Sequence, residues 1–111
     1  MAKSFDFNKI KPVTMMVTLT DEEKTTIAVK TPDKRLRDEL LSLYENIDDD
    51  TDEDEMSEAL YELTAKIMSR NTKDIVITSE KLKALYPDHA YLIAFLNAYV
   101  DFIDESTNSK N

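Results

Sequence analysis

The carboxylates of residues 48–55 are the first side chains whose spacing could do chemistry. Asp48, Asp50 and Asp52 stand at alternate positions, as do the first three ligands of a helix-flanked calcium loop. Such a loop also needs a glycine at its sixth position and a glutamate at its twelfth, where this chain has a glutamate and an alanine. We therefore interpret residues 48–55 as a solvated acidic linker without a metal site.

Groups that could support catalysis are equally sparse. His89 is the only histidine and the chain has no cysteine, so His89 has no obvious partner for binding a metal or activating a nucleophile. Glycine is absent as well. Phosphate-binding loops, nucleophile elbows and dinucleotide turns need glycine where the backbone bends sharply or meets a ligand. We expect a non-enzymatic protein without a cofactor, whose function is to bind other proteins.

The net charge of −9 comes mainly from the acidic linker. Seven of the 23 acidic residues lie there, so the rest of the chain has 16 acidic against 14 basic residues. Such a chain does not attract a phosphate backbone, and we expect no nucleic-acid partner. The longest apolar stretch, residues 90–100, is far shorter than the roughly 20 residues that span a bilayer, so we expect no membrane partner. The lack of cysteine favours the cytoplasm.

Apolar periodicity predicts the fold class. Residues 13–31 alternate with the period of β-strands on both sides of a polar turn, which indicates a β-hairpin. Spacings of three and four then predict about four helices. We expect a mainly α domain with an N-terminal β-hairpin, an α+β fold, over residues 13–104. A flexible arm over 1–12 precedes it, and a disordered tail over 105–111 follows.

Capping residues predict where the helices begin and end. Thr31 and Pro32 have the residue types of an N-cap and a first helical position, so we place the start of the first helix there. The second helix is expected over about 55–70, with Asn71 as its C-terminal cap. A short third helix should end before Pro87.

The last helix, expected over residues 89–104, carries apolar side chains around most of its circumference. A helix of this kind is buried on more than one side, and in a small chain one of those sides can face another subunit. We therefore expect a homo-oligomer. The interface with a second copy or a partner is expected to contain Tyr91, Leu92, Phe95, Leu96, Tyr99, Phe102 and Ile103.

Three basic residues, Lys34, Arg35 and Arg37, open the first predicted helix. Positive charge at this position opposes the helix dipole. One explanation is pairing with acidic residues close by in sequence. The other is ionic contact with a partner, or with the acidic linker of another copy.

Several stretches together suggest a family. They are the proline-started helix TPDKRLRDELLSLYENI, the segment from Leu60 to Leu85, and above all the aromatic helix LIAFLNAYVDFI over residues 92–103. In their order and type they resemble the tail assembly chaperones of long-tailed phages and prophages of Gram-positive bacteria. The resemblance covers roughly residues 13–104, and the family has no invariant catalytic motif.

The resemblance implies a specific function. Such chaperones coat the long, hydrophobic, helical tape measure protein, keep it soluble and recruit tail tube protein until the tube polymerises around it. They act in the host cytoplasm and are absent from the mature virion. The family is often made in two lengths by ribosomal frameshifting, and a chain of this length is similar to the short form.

Two other classes of function are open on the sequence alone. One is a small acidic adaptor or inhibitor, in the manner of a DNA mimic. A mimic spreads its carboxylates along a face, whereas here seven are bunched in one segment. The other is a structural component of the virion, which, unlike a chaperone, stays in the finished particle.

Overall fold

The computed structural model describes residues 3–9, 13–46 and 52–108. One 3-10 turn, Phe7–Lys9, precedes an antiparallel hairpin of β1 (Thr14–Thr18) and β2 (Thr26–Lys30). In the described part of the chain four α-helices follow: α1 (Lys34–Asn46), α2 (Glu53–Ser69), α3 (Ser79–Leu85) and α4 (Ala90–Asn108). The predicted fold class, a mainly α domain with an N-terminal hairpin, is confirmed.

The hairpin uses the predicted alternation. Ile27 and Val29 of β2 are buried in the core, and Met15 and Val17 of β1 are partly buried beside it on the same face. The outer side of β2 is also paired, because residues 70–72 run antiparallel to it: the Lys30 nitrogen donates to the Arg70 carbonyl and the Thr72 nitrogen to the Ala28 carbonyl. The hairpin is thereby fastened to the end of α2, which an isolated two-stranded hairpin requires for stability.

The turn of the hairpin is held by Asp21. Its carboxylate accepts hydrogen bonds from the Thr25 backbone nitrogen at 2.8 Å and the Thr25 hydroxyl at 2.6 Å. It also lies 3.2 Å from Nζ of Lys81 on α3. These contacts, chiefly the hydrogen bonds from Thr25, lower the pKa of Asp21 to about 2. Lys24, in the same turn, has the left-handed φ of 50° that reverses the chain.

Helix α1 begins later than predicted. The expected cap was Thr31 with Pro32 as the first helical residue, but the helix starts at Lys34. The Asp33 carboxylate accepts a hydrogen bond from the Leu36 backbone nitrogen at 2.9 Å, which makes Asp33 the N-cap. Both residue types cap helices, and spacing alone did not choose between them.

The acidic linker is shorter than predicted. Helix α2 begins at Glu53, so residues 53–55 belong to the helix rather than to a linker. The Asp52 side chain caps it by accepting from the Asp54 backbone nitrogen at 2.9 Å. Carboxylates in the first turn are favoured by the helix dipole. Residues 47–51, which contain the rest of the predicted linker, lie outside the described residues.

Asn71 organises the segment between α2 and α3. It is buried, and its side-chain nitrogen donates to the carbonyls of Met68 and Ile75, each at 2.8 Å. Its side-chain oxygen accepts from the backbone nitrogens of Lys73 and Ile75. The C-cap of α2 is Arg70 rather than the predicted Asn71. Asn71, one residue later, bonds the Met68 carbonyl in the last turn of the helix and shapes the turn that follows.

Helix α4 continues to Asn108, beyond its expected end at residue 104. The disordered tail predicted from residue 105 onward is therefore wrong for residues 105–108, and residues 109–111 lie outside the described residues. At the other end of the chain, the predicted arm contains the exposed rings of Phe5 and Phe7, which meet edge to face at 4.7 Å. No helix among the described residues is long and apolar enough to cross a membrane.

Helix α2 lies at the centre of the packing. It contacts α1, α3, α4 and β2, and Leu60, Ile67 and Met68 on it are buried. The core joins buried side chains of β2, and of Leu19 just after β1, to buried side chains of all four helices. Its members include Leu19, Val29, Leu36, Leu40, Leu82, Leu92, Leu96 and Tyr99.

We expect Asn71→Asp to lower the free energy of unfolding by about 1–3 kcal/mol. A carboxylate cannot donate to the carbonyls of Met68 and Ile75, so both would lose a buried hydrogen bond. Urea unfolding measures the change. The control is Asn97→Asp on α4, an exposed site where the substitution keeps the acceptor for Tyr44. Equal stability of the two variants would contradict this role for Asn71.

The lowered pKa of Asp21 predicts that this carboxylate contributes to the free energy of unfolding at neutral pH and that the contribution is lost in acid. Because the pKa falls from 3.8 to about 2 on folding, the stabilisation is complete above about pH 4 and is lost as the pH falls through about 2. Asp21→Asn should therefore melt below the wild type at neutral pH, and the two melting temperatures should converge near pH 2. Glu22→Gln, in the same turn, is the control. A gap between wild type and Asp21→Asn that is independent of pH would contradict the assignment.

Candidate protein-binding site

Four of the seven residues predicted at an interface lie inside the chain's own core. Leu92, Leu96, Tyr99 and Ile103 are between 0% and 8% exposed. The Tyr99 hydroxyl donates to the carbonyl of Lys30 at 2.8 Å, which ties α4 to the end of β2. These side chains hold the domain together and are not available to a partner at the surface of the folded chain.

The other three predicted residues form a partly exposed stripe. Tyr91 is 64% exposed, and Phe95 and Phe102 are partly buried at the border of the core. Their spacings of four and seven place them on one side of α4. The rings of Phe95 and Phe102 each lie 5.9 Å from that of Tyr99, so the stripe rests on the core.

Helix α4 also has a solvent face. Ala94, Asn97, Ala98 and Asp101 are exposed on it. The large apolar side chains therefore cluster on one side and its borders, and the expectation of a helix that is apolar nearly all round is wrong for this face.

The basic cluster at the start of α1 is only partly paired. Nζ of Lys34, on a side chain 91% exposed, lies 3.2 Å from Asp38. Glu39, the acid four residues after Arg35, pairs instead with Lys66 of α2 at 3.0 Å. Among the described residues no ion pair includes Arg35 or Arg37. Pairing within the cluster's own helix therefore accounts for Lys34 alone.

A groove between α1 and α2 is a feature that the sequence did not predict. It encloses about 630 Å³. Its apolar lining comes from Leu43 of α1 and from Met56, Ala59 and Leu63 of α2. The remaining lining residues are polar or charged: Arg35, Asp38, Glu39, Ser42, Glu55, Glu62 and Lys66.

The groove is an open seam between α1 and α2, because residues of both helices line it. The Glu39–Lys66 ion pair joins the helices on the rim. Four of the lining residues are acidic and two are basic, so the rim has a net negative charge.

Sequence periodicity contained a signal for this groove, but an ambiguous one. Met56, Ala59 and Leu63 follow one another at spacings of three and four and read as part of the core face of α2. In the structure Leu63 is buried, whereas Met56 and Ala59 are only partly buried. Periodicity shows that the side is apolar and does not show that α1 covers it incompletely.

The described residues contain no group of three or more histidine, cysteine or acidic side chains that could hold a metal ion. Of the carboxylates with calcium-loop spacing, Asp48 and Asp50 lie outside the described residues, and Asp52 caps α2. His89 is partly buried just before α4, where its carbonyl accepts from the backbone nitrogens of Leu92 and Ile93.

The groove and the stripe on α4 are thus two apolar surfaces that the described residues offer to another protein. The groove is concave and combines an apolar lining with a charged rim, as sites that receive an amphipathic helix do. Comparison of the chain with protein-family models, with curated proteins and with solved structures gave no match.

Proposed function

We propose that this chain is a tail assembly chaperone of a long-tailed phage or prophage, and that it binds an amphipathic helix of the tape measure protein in the groove between α1 and α2. The observation that carries the proposal is the groove itself, with its apolar lining and acidic rim. The resemblance of residues 13–104 to such chaperones supplies the identity of the partner.

The groove has dimensions that suit a helix. The apolar line on α2 consists of Met56, Ala59 and Leu63 and extends over two helical turns. Its length along the helix axis is roughly 10 Å, at 1.5 Å per residue. A partner helix with apolar side chains at spacings of three, four and seven can lay them along this line. The small side chain of Ala59, at the middle of the line, leaves room for a large side chain of the partner.

The rim charges favour a particular kind of helix. Glu55 and Glu62 of α2 and Asp38 of α1 line the groove, and of these only Asp38 has an ion pair, with Lys34, among the described residues. Lysine or arginine beside the apolar stripe of the partner would meet these acids. Such contacts steer association and select partners more than they add affinity.

The chain's net charge of −9 suits a chaperone that must stay dispersed before its partner is made, because like charge keeps molecules apart. In this proposal the protein acts in the host cytoplasm, recruits tail tube protein to the coated tape measure protein and leaves before the virion is complete. The proposal includes no catalytic step and no cofactor.

Ala59→Arg is expected to abolish binding of the cognate tape measure protein without unfolding the chain. A long charged side chain at the middle of the groove would collide with the bound helix, and a charge held in an apolar contact costs several kcal/mol. At about 1.4 kcal/mol for each factor of ten, affinity should fall by at least about a hundredfold. Co-expression and pull-down report solubility and binding, and calorimetry with a peptide from the tape measure protein gives the affinity.

The matched control is Ala84→Arg, the same substitution at an exposed position of α3. It should bind like the wild type, and both variants should melt within a few degrees of it. If the wild type binds the tape measure protein and Ala59→Arg still binds it, the groove is the wrong site. If the wild type neither binds nor solubilises that protein, the chaperone function is wrong and the acidic adaptor becomes the better hypothesis.

A further inference from the structure

No segment among residues 3–9, 13–46 and 52–108 pairs with the outer edge of β1. The Leu19 nitrogen donates to the Thr25 carbonyl, and with the register of Met16 opposite Ala28 this fixes which backbone groups point inward. Residues 15, 17 and 19 bond to β2, so the N–H and C=O groups of Thr14, Met16 and Thr18 point away from it. Among the described residues, none of these outward groups has a hydrogen-bond partner.

The two outer edges of the hairpin differ in their hydrogen bonding. On β2, the outward groups of Ala28 and Lys30 are bonded to residues 70–72. On β1, no described segment occupies the corresponding position, and the Met16 side chain is 65% exposed. An open row of backbone donors and acceptors is a template for another strand.

Strand β1 also lacks the features with which proteins protect an open edge. Its sequence, TMMVT, has no charged residue, no proline and no glycine. In the described structure it pairs with β2 residue for residue, without a bulge. Charges, proline and bulges are the usual devices against edge pairing, and a chain that is 33% charged has placed no charge here.

We propose that β1 pairs with β1 of a second copy, antiparallel across a two-fold axis at Met16. The outward residues 14, 16 and 18 are symmetric about Met16, so such a pair places Met16 opposite its own copy and Thr14 opposite Thr18. All three then become hydrogen-bonded pairs, each residue donating and accepting once. A different register would leave some of these outward groups unpaired. The register that is symmetric about Met16 pairs all of them, so two copies of the strand complement each other.

The side chains on both faces are compatible with this pairing. On the inner face, Met15 would lie opposite Val17 of the second copy. Both are only partly buried in one chain, so pairing would extend the core across the axis. On the outer face the two exposed Met16 side chains would meet each other between threonines, with no like charges opposed.

The result is a four-stranded sheet in a symmetric dimer. The surface used is isologous, as in most two-subunit proteins. Because each copy carries a net charge of −9, repulsion between the copies opposes pairing. Salt screens that repulsion, so association should strengthen with ionic strength.

Sedimentation of the full chain tests the proposal, from low micromolar to millimolar concentration. The wild type should reach twice the mass of 12.8 kDa, with tighter association at higher salt. Met16→Lys and Met16→Glu should each weaken dimerisation at least about tenfold, because like charges would stand directly opposite across the axis. A mixture of the two variants should dimerise again, since unlike charges would then be opposed.

Two further variants separate edge pairing from other causes. Met16→Pro removes only an N–H that points outward, so it should abolish the dimer while the hairpin keeps its own hydrogen bonds. Val76→Lys changes a residue that is 74% exposed elsewhere and should leave the dimer intact. Circular dichroism confirms that each variant is folded.

The proposal is overturned by a wild type that remains monomeric at millimolar concentration. It is overturned equally by a dimer whose affinity is the same in the wild type and all the Met16 variants, since another surface would then hold the copies together. Neither result bears on the groove, because binding of a helix there is measured separately with Ala59→Arg.

Discussion

Helix α2 has to pack against four other elements at once, and the arrangement of the described structure depends on that constraint. It contacts α1, α3, α4 and β2, and Ile67 on it is completely buried. The packing has a cost, since the hydroxyl of the fully buried Thr64 has no hydrogen-bond partner among the described residues. Residues 70–72, directly after the helix, pair with β2. Near the N-terminus of the helix, Met56 and Ala59 line the groove together with residues of α1 and are only partly buried, so that apolar side of α2 stays partly open among the described residues.

Hydrogen bonds to backbone carbonyls then fix how the outer elements meet α2. Asn71 shapes the turn after it, Tyr99 fastens α4 to Lys30, and the Tyr61 hydroxyl donates to the Tyr86 carbonyl at the end of α3. Each joins a side chain to a main-chain group that would otherwise be left without a partner as it is buried. A chain without glycine has few sharp turns available to it, and here side chains such as Asn71 and Asp21 stabilise the turns instead.

The fold was largely predictable because it depends on local patterns. Alternation predicted the hairpin, and spacings of three and four predicted the helices. One error came where two residue types compete as the N-cap, as Thr31 and Asp33 do at the start of α1. Another came where the acidic residues in the first turn of α2 were assigned to a linker. The site was harder to predict, because periodicity marks Tyr99 and Phe95 alike as apolar. Only the placement of β2 against α4 shows that the first is fully buried and the second lies at the border.

The groove and the open edge of β1 lie on different elements, and this separation has a functional consequence. Strand β1 contributes no residue to the lining of the groove, so pairing of two copies through β1 uses none of the residues that line it. A dimer built in this way would present two grooves related by a two-fold axis. A long partner with repeated amphipathic segments could occupy both, and the second contact would form at the effective concentration set by the first. Two weak sites would then hold such a partner firmly, and each could still release its own segment, as a chaperone that must leave its partner requires.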